Sequence, residues 1–133
     1  MKGFTNQPIR MVTLLAVLGG LGLPALQAES RYPVLTGTTV HGRDVWLGTC
    51  ESCHAYGIAG SPNPDEPDAW RERLKKPRAV LHEHAINGFF GPEDTHMPPR
   101  GGNPALSDED VQAAVDYMIA LALRTLNQAE EKK

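Results

Sequence analysis

Cys50, Cys53 and His54 stand in the order Cys-x-x-Cys-His, written "CESCH", and three kinds of chemistry use that spacing. Thiols three residues apart can cycle as a redox dithiol or supply half of a metal site. They can also add to the two vinyl groups of a haem whose iron the following histidine then reaches. A thioredoxin-like dithiol belongs beside a strand–helix–strand unit, and the chain has no alternating apolar pattern to make one. A structural zinc site wants four ligands, usually with a second pair at regular spacing. His41, His82, His84 and His96 offer no such pair. The haem reading remains: on a helical turn, residues i and i+3 project to one side. A covalently held, flat, apolar cofactor also answers a shortage. Beyond the leader the large aromatics are only Tyr32, Trp46, Tyr56, Trp70, Phe89, Phe90 and Tyr117. A domain this small gains much from a staple.

An iron held by one histidine needs a second axial ligand or stays open to small molecules. Met97, in "HMPPRGG", is the candidate. Its thioether is a soft donor, and a Met/His pair raises the reduction potential. Pro98 and Pro99 stiffen the backbone immediately after the sulfur, which lowers the entropy cost of holding a weak ligand. Two alternatives stay open: a loop methionine packing on the haem edge, or the neighbouring imidazole of His96. His82 and His84 lie two apart and so on different faces of a helix; they are surface residues, or one of them packs near the haem.

These side chains need elements to hold them. The N-terminus begins with Lys2 and Arg10 and continues in "MVTLLAVLGGLGLPAL", ending near Ala28. That is the layout of a secretory signal peptide over residues 1–28, with an apolar stretch short for a membrane span; an uncleaved anchor is the alternative. Residues 29–38 read as a tether. The helical domain spans 39–126, and 127–133 form a polar tail expected to fray. The segment "TTVHGRDVWLGTCESCH" reads as a helix leading into the cysteines, and Gly42 within it makes sense where another backbone comes close. "AYGIAGSPNPDEP" is loop. "DAWRERLKK" and "PRAVLHEHAI" are short helices, the second running from near Pro77 to Asn87-Gly88. "FFGPEDTHMPPRGGNPA" is a second long loop, of a length that usually carries function. The last helix opens with Ser107 as N-cap and Asp110 in capping-box position. Val111, Ala114, Val115, Met118, Leu121 and Ala122 share one of its faces. The expected architecture is all-α, about four helices and two large loops.

Charge narrows the partners. The chain has 13 basic and 16 acidic side chains; loss of a leader containing Lys2 and Arg10 leaves 11 against 16, a net −5. Nucleic acid rewards clustered Lys and Arg and is not expected as a partner.

Taken together, "CESCHAYGIAGSP", "DAWRERL", "LHEHAINGF", "MPPRGG" and "LSDEDVQAAVDYM" resemble the class I c-type cytochromes, and within them the cytochrome c5 family, from about Gly42 to Leu121. The resemblance implies a class I cytochrome c fold wrapped around one covalently attached haem c. It makes Cys50 and Cys53 the thioether anchors, His54 the proximal ligand and Met97 the distal one. Pro62 then lends its carbonyl to the proximal imidazole, and Trp70 and Arg73 lie near the haem propionates. Gly42 and Trp46 would mark where the first helix crosses the last, near Val115 and Tyr117. Some relatives carry a further cysteine pair near the last helix; this chain has none.

The implied role is that of a periplasmic one-electron carrier between redox partner proteins, with no enzymatic turnover and no stable membrane insertion. Two other roles stand beside it: a haem subunit of a larger oxidoreductase, and a gas-binding sensor in which Met97 dissociates.

Overall fold

In the computed structural model, residues 38–92 and 94–132 are described. The expected leader over 1–28, and all of the 29–38 tether but its last residue, lie outside them. The chain runs α1 (Thr38–Val45), α2 (Glu51–His54), α3 (Pro67–Arg71), α4 (Arg78–Asn87), β1 (Phe89–Phe90), β2 (His96–Met97) and α5 (Asp108–Glu131).

Helices α1 and α2 are one continuous rod with a wider turn between them. The Glu51 backbone N–H donates to the Trp46 carbonyl, five residues back, which makes Trp46–Cys50 a π turn. Such a turn adds one residue to the helix, so it resets the face on which Cys50, Cys53 and His54 stand relative to Gly42 and Trp46. Helical periodicity alone does not reveal it.

The rod crosses α5 closely. A Cβ at Gly42 would fall on the Ala113 carbonyl oxygen and stand 2.7 Å from its carbon. One turn further on, the Trp46 and Tyr117 rings meet at 5.7 Å, tilted by 60°. Trp46 and Trp70 join Ala114, Tyr117, Met118, Ile119, Leu121, Ala122 and Leu126 in the core. Most of that list comes from α5, so this helix is the wall on which the others lean. Gly42→Ala is expected to destabilise the fold. Alanine gains about 1 kcal/mol of helix propensity, but its methyl group meets a backbone that has nowhere to go. Overpacking of this kind costs about 1–3 kcal/mol, and the helices must also separate. A denaturant melt of the haem-loaded protein checks this; unchanged or raised stability would show that the crossing is loose.

Helix α5 starts as expected. Asp110 N–H donates to Ser107 Oγ (3.1 Å) and Ser107 N–H to Asp110 Oδ2 (2.9 Å). His41 Nε2 reaches the same carboxylate at 2.7 Å and ties α1 to this end of α5. The Ser107 backbone N–H first, and His41 next, hold the Asp110 carboxyl below its ordinary range. A depressed carboxyl stabilises the fold above its unfolded-state pKa, and the contribution disappears as pH falls through the folded-state value.

Two expectations change. The loop after Asn87 contains a small antiparallel hairpin, with Phe89 paired to Met97 and Phe90 to His96. Each strand has two residues, too few for alternation to be visible in sequence. The polar segment after Leu126 is not outside the helix, because α5 continues to Glu131. Leu126 is buried, and the Arg71 guanidinium lies 3.6 Å from Glu130.

Candidate haem site

His54 ends the cysteine-bearing helix and is 8% exposed. Its Nδ1–H donates to the Pro62 carbonyl at 3.1 Å. The "SPNP" stretch brings that carbonyl back, and Asn63 Nδ2 fastens the same stretch to the Ala55 carbonyl at 3.2 Å. Burial, and to a lesser extent the Arg73 charge, keep the imidazole pKa below its usual value, with the Pro62 hydrogen bond pulling the other way. The ring is therefore neutral at neutral pH. With Nδ1 carrying the proton, Nε2 keeps a lone pair for a metal.

Cys50 packs partly against the core, and Cys53 is exposed on the next turn. As a free thiol, Cys50 is pushed up to about 11, by burial first and by Cys53 second. Redox dithiols attack through a thiol of lowered pKa, and burial makes Cys50 unsuited to that role.

His54 lines a cavity of about 350 Å³ whose walls also include Pro62, Trp70, Arg73 and Met97. Five of the residues expected at the site thus meet in one space, and Cys50 and Cys53 stand on the helix that delivers His54 to it. Leu81 and Ala85 from α4, with Val115 and Met118 from α5, provide apolar wall. Trp70 is 4% exposed, and among the described residues its indole N–H has no acceptor. A buried unpaired donor costs about 1–3 kcal/mol. An anionic group entering the cavity beside it would remove that penalty. Arg73, one turn on, adds positive charge; its Nη1 already donates to the Ala69 carbonyl. A neutral imidazole, a thioether, an apolar wall and a donor pair for carboxylate suit a haem with its propionates.

Met97 reaches the cavity from β2. Gly88 makes room for it: a Cβ at that position would stand 2.9 Å from the Met97 carbonyl oxygen and 3.0 Å from Pro99. Gly88 has φ 83° and ψ 163°, a region that only glycine occupies readily. Met118 is a second sulfur at the cavity, although it belongs to the packed core of α5.

The histidines divide by neighbour. His82 Nε2 donates to Asp116 Oδ1 at 2.7 Å and links α4 to α5. His84 faces the cavity and stacks on Phe89, with centroids 4.1 Å apart. His96 also borders the cavity, but its ring stacks on exposed Phe90 at 4.3 Å. Sequence spacing separates the faces of His82 and His84; it does not say which face meets α5. Lys76 also lines the cavity, and no motif in the sequence marks it.

Residues 37–118 match the family described as "Cytochrome C oxidase, cbb3-type, subunit III". Cytochrome c-555 of Prosthecochloris aestuarii is 39% identical over 82 residues, covering 59% of this chain and 83% of that protein. Cytochrome c5 of Ectopseudomonas mendocina is 27% identical over 81 residues, covering 59% of this chain and 86% of that protein. Among solved structures, the chain is similar to one from an electron transfer complex of nitrite reductase with cytochrome c. The TM-score there is 0.54 at 33% identity, over 62% of this chain and 94% of that one. The mostly helical fold agrees with these neighbours. With the Cys-x-x-Cys-His helix and the cavity beside it, they place the chain in the cytochrome c family, among the class I monohaem cytochromes that include cytochrome c-555 and cytochrome c5, with one covalent haem c as its cofactor.

Proposed function

We propose that this chain is a periplasmic one-electron carrier, with His54 and Met97 as the axial ligands and Cys50 and Cys53 as the thioether anchors. It passes electrons between redox partner proteins and turns over no substrate of its own. The supporting observation is that an imidazole oriented by the Pro62 carbonyl and a thioether, from distant parts of the sequence, border one cavity. When bound, the haem supplies an iron that accepts or gives up one electron.

The protein's share is to keep everything else still. Pro62 fixes the tautomer and direction of His54, as outer hydrogen bonds do for metal-bound histidines. Met97 is carried on a paired strand followed by two prolines, so it holds its place in both oxidation states. Leu81, Ala85, Val115 and Met118 exclude water from the faces they cover. Trp70 and Arg73, which also line the cavity, would hold propionate. Export rests on the leader pattern of residues 1–28, and among the described residues no helix is long and apolar enough to cross a membrane. Partners meet such carriers through small, transient interfaces.

The matched family, a subunit of a cytochrome c oxidase, supplies a second reading, a haem subunit of a larger oxidoreductase. Purification separates the two, since a carrier elutes alone and a subunit with a fixed companion. The carrier reading is tested by redox titration of the haem-loaded protein, with CO added to the ferrous form at neutral pH. A single one-electron wave and no CO spectrum are expected. Ready CO binding would instead mark an open iron and a sensor.

A further inference from the structure

We infer that Arg100 is a positioning residue for Met97, locking the distal loop onto the start of α5; the inference rests on Met97 being an axial ligand. The loop has an obvious weakness. Pro98 and Pro99 stiffen the two positions after the methionine, but beyond Arg100 come Gly101 and Gly102, the most permissive of residues. A ligand tethered on that side only through glycines would swing.

Arg100 closes the gap. Its Nη1 donates to the Leu106 carbonyl at 2.9 Å, and its Nη2 to Asp108 Oδ1 at 2.5 Å. One planar guanidinium thus grips both the backbone carbonyl just before the N-cap and a carboxylate in the first turn of the helix that forms the core wall. This two-acceptor fork is a geometry that arginine provides and lysine does not.

The backbone is bent to allow it. Arg100 has φ 54°, and Gly101 and Gly102 follow at 64° and 83°. A left-handed arginine is unfavourable on its own account, so something must hold it there, and the observed contacts do. A second, weaker contact fixes the loop from the other side: Asn103 Nδ2 donates to Thr49 Oγ1 at 3.4 Å, immediately before Cys50. The methionine loop is thereby tied at once to the cysteine-bearing helix and to α5.

The test compares wild type, Arg100→Gly, Asp108→Asn and the double variant as haem-loaded proteins. Glycine accepts φ 54° without strain, so Arg100→Gly removes the guanidinium and leaves the backbone at ease. Asp108→Asn keeps the shape of the acceptor and drops its charge. Two readouts report on the iron–sulfur bond: the near-infrared ferric band and the rate of CO uptake by the ferrous form. Arg100→Gly should weaken the band and speed CO uptake by about tenfold, as for the loss of a charge-assisted contact. Asp108→Asn should do the same to a smaller extent, and the double variant should go no further than Arg100→Gly, because the two residues act as one unit. Unchanged band and CO rate in Arg100→Gly, even with a lowered melting temperature, would reduce Arg100 to a structural contact and overturn the inference. Additive effects would overturn its coupling to Asp108. Met97→Ala serves as the control: a band that survives there refutes the ligand assignment itself, whatever Arg100 does.

Discussion

A chain carrying Cys50→Ala and Cys53→Ala together is expected to lose all its colour to acid acetone, whereas the unaltered protein keeps it. The two sulfurs stand three residues apart on the helix that ends in His54, and no other cysteine exists in the sequence to replace them. Cys50→Ala alone should leave a single, more labile attachment through Cys53. The consequence for folding is as large as the one for colour. The site is a cavity of about 350 Å³. At about 24 cal/mol per Å³ an empty cavity of that size corresponds to roughly 8 kcal/mol. Water entering through the open side reduces the figure, but it remains comparable to the whole stability of a small domain, about 5–15 kcal/mol. Trp70 would also keep its buried N–H unpaired. The colourless double variant should therefore show reduced far-ultraviolet helicity and a broad, weakly cooperative melt. Colour that resists extraction in the double variant would mean attachment elsewhere. A colourless chain with full helicity and a sharp melt would mean that the helices need no cofactor between them.

What the sequence revealed, and what it hid, follows from how local each signal is. The Cys-x-x-Cys-His motif and the Ser107–Asp110 capping box are contained within a few residues, and local chemistry determines them. Gly42 was legible for a different reason: a costly residue in a helix signals a close neighbour, here the Ala113 carbonyl. The π turn at Trp46–Cys50 was hidden, because the helical segments on either side of it are too short for a shifted phase to show in the apolar pattern. The hairpin was hidden because its cause is not in its strands. It depends on the Gly88 backbone and on a turn closed by the Gly91 N–H donating to the Thr95 carbonyl at 2.8 Å. Near the end of α5, Glu130 meets Arg71, about sixty residues earlier in the chain, and no local pattern announces that contact. Arg100 looked like one more polar residue in a loop. Only the fold brings its guanidinium to Leu106 and Asp108.

Met97→Ala should abolish the near-infrared band of ferric iron–sulfur ligation, lower the potential and let CO bind the ferrous form. Thioether ligation favours the ferrous state and raises the potential. Its loss should shift the midpoint down on the order of 0.1 V, a modest part of the roughly 0.8 V that axial ligands span. The fold should survive, because Met97 joins the hairpin through its backbone and its side chain is only half-buried. Retained helicity with an altered spectrum is thus the expected pattern, and it separates ligand loss from unfolding. Two neighbours sharpen the test. Met118 is the other sulfur at the cavity, and Met118→Leu, nearly equal in volume, should leave the band intact. His84 and His96 also border the cavity, each with its ring stacked on a phenylalanine. To reach the iron, either would give up that stacking, worth about 0.5–1.5 kcal/mol for aromatic pairs. Met97→Ala should accordingly become high-spin and open, with CO binding at neutral pH. A low-spin spectrum in that variant would mean that an imidazole takes the vacated position. Survival of the near-infrared band would move the sulfur ligand from Met97 to Met118.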